Sequence, residues 1–423
     1  MSVTGKTGLL HNRVTGFFLP ASPEMLGVAV SGGSDSLALL HILRDWQEEG
    51  GSKIYAVTVD HGLRSEAAEE AEQVAQLCSG LGIPHQTLKW QGWDGQGNLS
   101  DRARRARYRL MADWAEAQGI SHIAIGHTTD DQAETFLMRL AREAGVDGLS
   151  AMAESWRQGA VTFCRPMLNV TRKELREDLQ ARDVQWIDDP SNEDDTYQRV
   201  RARQAMGHLA DLGITARGLS TVAKHMAEVR QTLYWYVFLA ARECVRFQAG
   251  DIIIDRKGYR ALRPEVARRL LQMALKWING TDYAPRGRAM DLLLESIRGG
   301  TDMTLQGCLI RVGQEQLRVS READAAAETK TEISDIWDGR WRVIAPENAM
   351  DLKGLEIRSL GESGLPFCPD RRDSGLPATS LRASPAVWQG QEVLAAPLAG
   401  LHNGWQVELI RDEDHFFSML LSH

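Results

Sequence analysis

Strand-like and helix-like stretches alternate through the first half of this chain, and this alternation limits the fold more than any other feature. The strand-like runs are "MLGVAV", "IYAVTV" and "HIAIG", with "HQTLKW" as a weaker candidate. Helical periodicity marks the stretches between them: "SLALLHILRDWQEE", "EAAEEAEQVAQLCSGLG" and "RARRARYRLMADWAEAQG". The rhythm predicts an α/β domain in which helices cover both faces of a parallel, doubly wound sheet. Ligands of such sheets bind beyond the carboxyl ends of the strands, so we expect the site in the segments that follow them.

The second half of the chain has a different character. Long helical patterns follow residue 204, and "TLQGCLIRVGQEQLRVSRE" alternates around Gly313 as a hairpin does. The remaining residues are rich in turns and short strand-like runs. We therefore predict three domains: an α/β domain over residues 1–204, a mostly helical domain over residues 205–330 and a small β-rich domain over residues 331–423.

Composition narrows the classes of function. Five scattered cysteines form no C-x-x-C pair, which argues against a zinc site and against a disulfide framework. No apolar run approaches a membrane span, and the N-terminus does not resemble a secretory signal, so we expect a cytoplasmic protein with no membrane partner. The net charge of −8 argues weakly against a nucleic-acid partner, although the arginines are clustered.

The segment after the first strand is rich in glycine and serine and runs directly into a helix. It comprises Ser31, Gly32, Gly33, Ser34, Asp35 and Ser36. A Walker-type loop would carry a lysine for the outer phosphates, and this one has none. Glycines allow the backbone to approach an anion closely, and the amides at a helix start attract it. Beside an anion, Asp35 suggests a bridging magnesium ion. A capped turn is the alternative, but the preceding strand and the following helix favour the anion site.

A basic helix follows "HQTLKW". The segment "NLSDRARRARYRL" places Arg104, Arg107 and Tyr108 on one helical face. A solvated basic face is the alternative interpretation of this pattern.

An acidic helix start follows "HIAIG". In "GHTTDDQAET", His127 precedes three acids of the first turns, which are Asp130, Asp131 and Glu134. Acids at a helix start can simply complement the helix dipole, which is the alternative to a binding role.

These motifs resemble those of a known superfamily. The loop "SGGSDS" is similar to the pyrophosphate-binding loop of the N-type ATP pyrophosphatases, which cleave ATP between the α- and β-phosphates and form an adenylated intermediate. In their order and spacing, "SGGSDS", "DHGLR", "ARRARY", "GHTTDDQAET" and "DDPSNEDDTYQR" resemble the tRNA(Ile)-lysidine synthases of that group. The sequence departs from the family pattern at Ser100, where an acid is expected, at "REAG", where Arg-Gly is usual, and at Val200, where asparagine is usual.

The resemblance implies a fold, a reaction and a set of residues. It implies an adenine nucleotide alpha hydrolase-like fold, with ATP and magnesium required. ATP would activate the wobble cytidine of tRNA(Ile) with a CAU anticodon, and the ε-amine of free L-lysine would then displace AMP. A homodimer is a further expectation. The expected ATP and pyrophosphate contacts come from Ser31, Gly32, Gly33, Ser34, Asp35, Ser36 and His61. The expected catalytic residues are Asp35, Asp131, Arg104, Arg107 and His127, with Asp35 as the magnesium ligand.

The two remaining substrates have their own expected contacts. The ammonium of lysine requires carboxylates, for which Asp131 is the first choice, followed by Asp130 and Glu134. Backbone contacts to tRNA are expected from Arg199, Arg201 and Arg203. Three aromatic side chains at helical spacing are predicted to be core residues and not base-stacking surfaces: Trp235, Tyr236 and Trp277.

Three other functions remain open at this stage. A tRNA thiolase of the same superfamily would need reactive or cluster-binding cysteines. A small-molecule amidating enzyme such as NAD synthetase would leave the arginine clusters and the second half of the chain without a role. A non-catalytic RNA-binding protein would have no use for Asp35 and Asp131.

Overall fold

The computed structural model describes residues 3–62, 67–91, 93, 99–187, 198–281, 285, 287–347 and 352–422. The chain divides into two compact units, Met1–Arg230 and Gln231–His423. The division into three domains stays a prediction. No helix in these described ranges is long and apolar enough to cross a membrane.

The first unit alternates strands and helices as the sequence predicts. Its strands are β1 (Met25–Ala29), β2 (Lys53–Asp60), β3 (His85–Lys89), β4 (His122–Ile125), β5 (Ser155–Gln158) and β6 (Val161–Cys164). Its helices are α1 (Val3–Thr15), α2 (Ser34–Glu48), α3 (Ala67–Gly80), α4 (Leu99–Ala117), α5 (Thr129–Leu140), α6 (Val146–Leu149), α7 (Arg172–Ala181) and α8 (Gln198–Ala210). Helix α9 (Ala216–Cys244) begins in the first unit and ends in the second.

The strand order in this unit is β3-β2-β1-β4-β6-β5, with every neighbouring pair parallel except β5 and β6. Strand β1 lies between β2 and β4, and it is apolar because both faces of the sheet are covered; Leu26 and Val28 are fully buried. The chain leaves β1 in opposite directions toward β2 and β4, so a crevice opens at their carboxyl ends. The predicted α/β fold class is confirmed.

The second unit combines helices with small antiparallel sheets. Its strands are β7 (Val245–Gln248), β8 (Asp251–Asp255), β9 (Met303–Leu305), β10 (Cys308–Val312), β11 (Gln316–Arg321), β12 (Trp341–Ile344), β13 (Leu355–Ser359), β14 (Pro385–Gln389), β15 (Glu392–Ala395) and β16 (Gln406–Leu409). Its helices are α10 (Arg256–Ala261), α11 (Pro264–Asn279), α12 (Arg288–Gly299), α13 (Ala323–Ala327), α14 (Gly361–Gly364), α15 (Ala378–Arg382) and α16 (Glu413–Leu421). The sheets have the orders β7-β8-β11-β10-β9, β12-β16 and β13-β14-β15.

Two hairpins in this unit test the sequence interpretation. The predicted hairpin around Gly313 is confirmed, because β10 and β11 pair antiparallel and the Gly313 N–H donates to the Gln316 carbonyl at 2.9 Å. The β7–β8 hairpin was not expected, because the sequence predicts long helices after residue 204. Helix α9 ends at Cys244, and Ala249 and Gly250 turn the chain with φ of +49° and +82°. Two consecutive positive φ values suit a two-residue hairpin turn, and the β-branched run after them favours a strand.

The three aromatic residues predicted for the core divide in the structure. Trp277 is 1% exposed and packs edge-to-face against Phe247, so its prediction is confirmed. Trp235 and Tyr236 are 51% and 57% exposed, so their prediction was wrong. Helical spacing identifies residues that share a face, but it does not say whether that face is covered.

Candidate active site

The glycine-rich loop joins β1 to α2 at the centre of the sheet. The Oγ of Ser36 accepts a hydrogen bond from the Ser31 N–H at 3.1 Å and donates to the Gly33 carbonyl at 3.0 Å. Gly33 stands at the N-cap and has no side chain, so it leaves the first N–H groups of α2 uncapped. Those N–H groups and the helix dipole form a ready site for a phosphate.

Two glycines let backbone segments approach at this loop. Gly32 has a φ of +83°, and an added Cβ would lie only 2.8 Å from Cδ1 of Ile187. Gly126, which follows β4, would bring a Cβ within 3.1 Å of the backbone of Asp35 and Ser36. The end of β4 therefore lies directly against the start of α2.

Three carboxylates from two helices converge beside the loop on a single arginine. The Nε of Arg172, the first residue of α7, lies 3.0 Å from Oδ2 of Asp35. Its Nη2 lies 3.2 Å from Oδ1 of Asp131, and its Nη1 lies 3.5 Å from Oε1 of Glu134. Buried carboxylates must be paired with positive charge, and Arg172 supplies it to all three.

Helix α8 contributes two further guanidiniums to this cluster. Arg199 contacts Oδ1 of Asp131 at 2.8 Å and Oε2 of Glu134 at 2.6 Å. Arg203 contacts Oε1 of Glu134 at 2.9 Å, and the Glu134 side chain is only 2% exposed. Three carboxylates and three guanidiniums therefore balance in charge before any substrate binds.

The surroundings move the pKa values of the two aspartates in opposite directions. Burial raises the pKa of Asp35, and Arg172 only partly opposes that effect. Burial also tends to raise the pKa of Asp131, but Arg199 and Arg172 outweigh it and hold that pKa below its ordinary value. Asp131 therefore stays ionised and can bind a substrate cation.

The neighbouring acids Asp130 and Asp131 face different partners. Oδ2 of Asp131 accepts hydrogen bonds from the N–H of Thr128 at 2.7 Å and from its hydroxyl at 3.0 Å, as in a capping box. This leaves Oδ1 of Asp131 turned to the arginines. Oδ2 of Asp130 instead accepts from the backbone N–H of Arg172 at 2.7 Å. Asp130 thus holds the start of α7, while Asp131 faces the cluster.

Helix α4 supplies a second basic group. The guanidinium carbons of Arg104 and Arg107 each lie 5.1 Å from the ring centre of Tyr108, which is buried. The Nε of Arg107 is buried and has no hydrogen-bond partner among the described residues. Burial is the largest cause of the lowered pKa values of His61 and His127, and the charge of Arg107 lowers both further. The charge of Arg107 therefore affects the protonation of the histidines that follow both β2 and β4.

Comparisons with known proteins show the family of this chain. A family model described as a PP-loop domain matches residues 8–209. The tRNA(Ile)-lysidine synthase of Ruegeria pomeroyi is 48% identical over 98% of this chain and 98% of its own length. The chain belongs to the tRNA(Ile)-lysidine synthase family. The tRNA(Ile)-lysidine synthase of Bradyrhizobium sp. (strain BTAi1) is 35% identical over 71% of this chain and 90% of its own. The solved U34-tRNA thiolase NcsA of Methanococcus maripaludis is 15% identical with a TM-score of 0.46, covering 54% of this chain and 80% of that one.

Most residues predicted from the resemblance to tRNA(Ile)-lysidine synthases meet at one edge of the sheet. Asp35, Asp131, Glu134, Arg199 and Arg203 form one ion-pair cluster. Arg199 and Arg203 were predicted to contact tRNA, and the structure gives both of them carboxylate partners. Arg201 is exposed and takes no part in these ion pairs.

Some predicted features of this tRNA(Ile)-lysidine synthase family member lie outside the described residues. These are Leu63 and Arg64 of "DHGLR", the side chain of Ser100, and residues 188–197 of "DDPSNEDDTYQR". His61 is described: its ring lies 6.0 Å from that of Trp90, and its Nδ1 is buried without a hydrogen-bond partner in the described part of the chain.

Two arginines of the site, Arg165 and Arg172, were not predicted from the sequence. Arg172 begins α7 inside the capping box of Thr171 and Glu174, a pattern that predicts a helix start but not what the helix faces. Arg165 directly follows β6, and the rule about strand ends would have found it if the short run "VTFC" had been taken as a strand.

Magnesium fits this site only together with phosphate. In the described ranges, no group of three or more His, Cys, Asp or Glu side chains could hold a metal ion by itself. Magnesium at nucleotide sites commonly takes one or two carboxylates and completes its shell with phosphate oxygens and water. Asp35, at the start of α2, offers one carboxylate beside the phosphate loop, which suits that arrangement.

Proposed function

We propose that this chain is an ATP-dependent ligase that joins the ε-amine of free L-lysine to carbon 2 of the wobble cytidine of CAU-anticodon tRNA(Ile). The family membership supports the substrate class. The observation that carries the proposal is the placement of the phosphate loop against the Asp131–Glu134 carboxylates, because the reaction needs a pyrophosphate site beside a site for a cationic amine.

The first half-reaction is adenylation. Oxygen 2 of the cytosine attacks the α-phosphorus of ATP, the bond between the α-phosphorus and the bridging oxygen to the β-phosphate breaks, and pyrophosphate leaves. The N–H groups at the start of α2 and the hydroxyls of Ser31 and Ser34 stabilise the leaving charge. The Ser36 hydroxyl, which donates to the Gly33 carbonyl, holds the loop in shape. Magnesium, when bound with ATP, would neutralise phosphate charge, with Asp35 as its ligand from this chain. Arg107 and Arg104 bind the α-phosphate, for which a guanidinium has matching geometry.

The second half-reaction is displacement by lysine. The amine nitrogen attacks carbon 2, the bond from carbon 2 to oxygen breaks, and AMP leaves with that oxygen. The ε-amine of lysine arrives protonated. Because the pKa of this group is about 10.4, removing its proton at neutral pH costs about 4.6 kcal/mol. Asp131 binds the ammonium and orients the amine, with Glu134 behind it. Lysine would displace a guanidinium from Oδ1 of Asp131 as it binds. Asp130 supports this pocket through the start of α7.

The tRNA enters as an unpaired loop. The cytidine must leave its stack to reach the pocket, which costs little in a single-stranded anticodon loop. The exposed Arg201 contacts the tRNA backbone in this proposal. A cytoplasmic location and a homodimer belong to the same proposal; light scattering of the purified protein tests the homodimer.

The described cysteines do not favour thiolation. All five are buried and free. Burial raises the pKa of the Cys78, Cys164 and Cys244 thiols to about 11 and that of Cys308 to about 12, and it raises the pKa of Cys368 as well. A sulfur-transfer enzyme needs accessible thiolates, which such thiols do not provide at neutral pH.

The deciding experiment follows labelled lysine and pyrophosphate together. The protein is incubated with ATP, magnesium, labelled L-lysine and one of three transcripts: tRNA(Ile) with a CAU anticodon, tRNA(Met) with the same anticodon, or an unrelated tRNA. We expect AMP and pyrophosphate in equal amounts, and label in the first transcript only. Pyrophosphate release without tRNA, or equal labelling of all three transcripts, would overturn the proposal.

A further inference from the structure

A hydrogen bond to the ring of His127 determines which of its nitrogens carries the proton. The reaction steps proposed above give this histidine no role. It follows β4, and its Nδ1 accepts a hydrogen bond from the Nε–H of Arg165, with 2.9 Å between the two nitrogens. A guanidinium only donates hydrogen bonds, so Nδ1 must be unprotonated to accept this one. The ring is then neutral and keeps its single proton on Nε2. Nε2 has no hydrogen-bond partner among the described residues, which leaves this N–H for a ligand.

Arg165 is held in place from several sides. It is 6% exposed, and its Nη1 donates to the Ala153 carbonyl at 2.5 Å. Its guanidinium lies 4.0 Å from the ring centre of Trp156, and its backbone N–H donates to Glu154 at 2.8 Å. These contacts anchor Arg165 to the β5–β6 pair, so it presents Nε to His127 in a fixed direction.

The charges around His127 favour the same state. Burial is the largest cause that lowers its pKa to about 3, and Arg165, Arg199 and Arg107 lower it further, while Asp131 acts in the opposite direction. Arg165 directly follows β6, and the other three groups come from α8, α4 and α5. The imidazole therefore stays uncharged through the neutral pH range.

We propose that Arg165 is a positioning residue that locks His127 in the Nε2–H tautomer, so that His127 donates a hydrogen bond to a phosphate oxygen of the reacting nucleotide and accepts no proton. This inference rests on the proposed function for the identity of the nucleotide. It removes His127 from the candidates for the base of the lysine step, and the amine proton must pass to another group or to water.

The first test reads the tautomer directly in the intact chain. Nitrogen-15 NMR of protein labelled at histidine distinguishes an unprotonated Nδ1 from a protonated one. We expect the unprotonated Nδ1 signal for His127, assigned by its loss in His127→Gln, and we expect it to persist from pH 8 to pH 5. In Arg165→Met the two tautomers should mix, whereas the matched control Arg157→Met, an exposed arginine on the same hairpin, should leave the signal unchanged. A protonated Nδ1 in the wild-type protein would overturn the proposal, even if no variant folds.

The second test separates a donor from a base. Glutamine places an N–H close to the position of the histidine Nε2 but cannot accept a proton at neutral pH. We expect His127→Gln to keep adenylation within about tenfold of wild type, and His127→Ala to lose on the order of 10²-fold. Equal losses in both variants, together with a wild-type pH–rate limb that His127→Gln abolishes, would show that His127 acts as a base. The NMR result needs neither tRNA nor lysine, so a failure of the proposed ligase activity is distinguishable from a failure of this inference.

Discussion

Arg172 and Asp35 lie 137 positions apart in the chain, yet the Nε of the arginine is 3.0 Å from the carboxylate of the aspartate. This contact joins the first residue of α7 to the phosphate loop. The same guanidinium reaches Asp131 and Glu134, so one arginine links the pyrophosphate side of the site to the lysine side.

Replacing Arg172 by alanine should damage both stability and activity. The change leaves three largely buried carboxylates short of one positive charge, which costs about 3 kcal/mol in the free energy of unfolding. Adenylation should fall on the order of 10²-fold, because Asp35 loses the partner that orients it. Urea unfolding and pyrophosphate release measure the two effects. Lys173→Ala is the matched control, because Lys173 is the next residue of α7 and its side chain is 87% exposed. Similar losses of stability and activity in the two variants would contradict this account.

Asp131→Asn should separate the lysine step from the fold. Asparagine keeps an oxygen for the Thr128 cap but loses the charge that binds the ammonium. We expect the KM for lysine to rise about 10- to 100-fold, the magnitude of a lost charged hydrogen bond, with adenylation less affected. Lysine incorporation measured over a range of lysine concentrations gives the KM, and pyrophosphate release at saturating lysine gives the rate of adenylation. Asp130→Asn is the control, because Asp130 faces the backbone of α7; an equal rise in KM there would argue against Asp131 as the lysine ligand.

Gly32→Ala should disrupt the phosphate loop. The new Cβ would sit at a φ of +83° and 2.8 Å from Ile187, so both strain and a clash oppose it. Gly50→Ala makes the same change at a φ of +92° with no heavy atom within 4 Å of the new Cβ. We expect Gly32→Ala to be less stable than Gly50→Ala by at least about 1 kcal/mol in urea unfolding and to bind ATP more weakly. If the two variants unfold alike, the contact with Ile187 does not constrain the loop.

Glu174 should give the first unit an acid-sensitive stability. Burial opposes ionisation of Glu174, but hydrogen bonds from Arg13 and Thr171 hold its pKa at about 2, below the ordinary 4.5. The resulting stabilisation is present in full above pH 4.5 and is lost as the pH falls toward 2. Because the side chain is partly exposed, we expect Glu174→Gln to cost only about 1 kcal/mol at pH 7, with the gap to wild type closing between pH 4.5 and pH 2. Thermal unfolding across this range measures the difference, and a gap between Glu174→Gln and wild type that stays constant down to pH 2 would contradict this account.

Arg199 and Arg201 should affect different substrates although they are two residues apart. Arg199 pairs with Asp131 and Glu134, while Arg201 is exposed. We expect Arg199→Met to impair the lysine step and Arg201→Met to raise the KM for tRNA with a reduced salt dependence. Steady-state assays at two salt concentrations separate these outcomes. A tRNA defect in Arg199→Met alone would instead favour the backbone contact that the sequence suggests.

The parts of the fold that follow from local pattern were predictable. The strand β1, the loop and α2 were recognised because an apolar run, two glycines and a helical repeat are adjacent in the chain. The β7–β8 hairpin was missed because its turn, Ala249–Gly250, has none of the usual asparagine or aspartate signals. The exposure of Trp235 and Tyr236 was missed because periodicity does not reveal which helix faces are covered.

The sequence by itself determined the α/β fold class, the phosphate loop and the family, since each is written in contiguous residues whose spacing carries the information. Only the tertiary structure decided which charges meet: that Arg172 joins Asp35, Asp131 and Glu134, that Arg199 and Arg203 turn toward carboxylates, and that Arg165 holds His127. These contacts join residues 38 to 137 positions apart in the chain. Their energies depend on distance and burial, which no local pattern records.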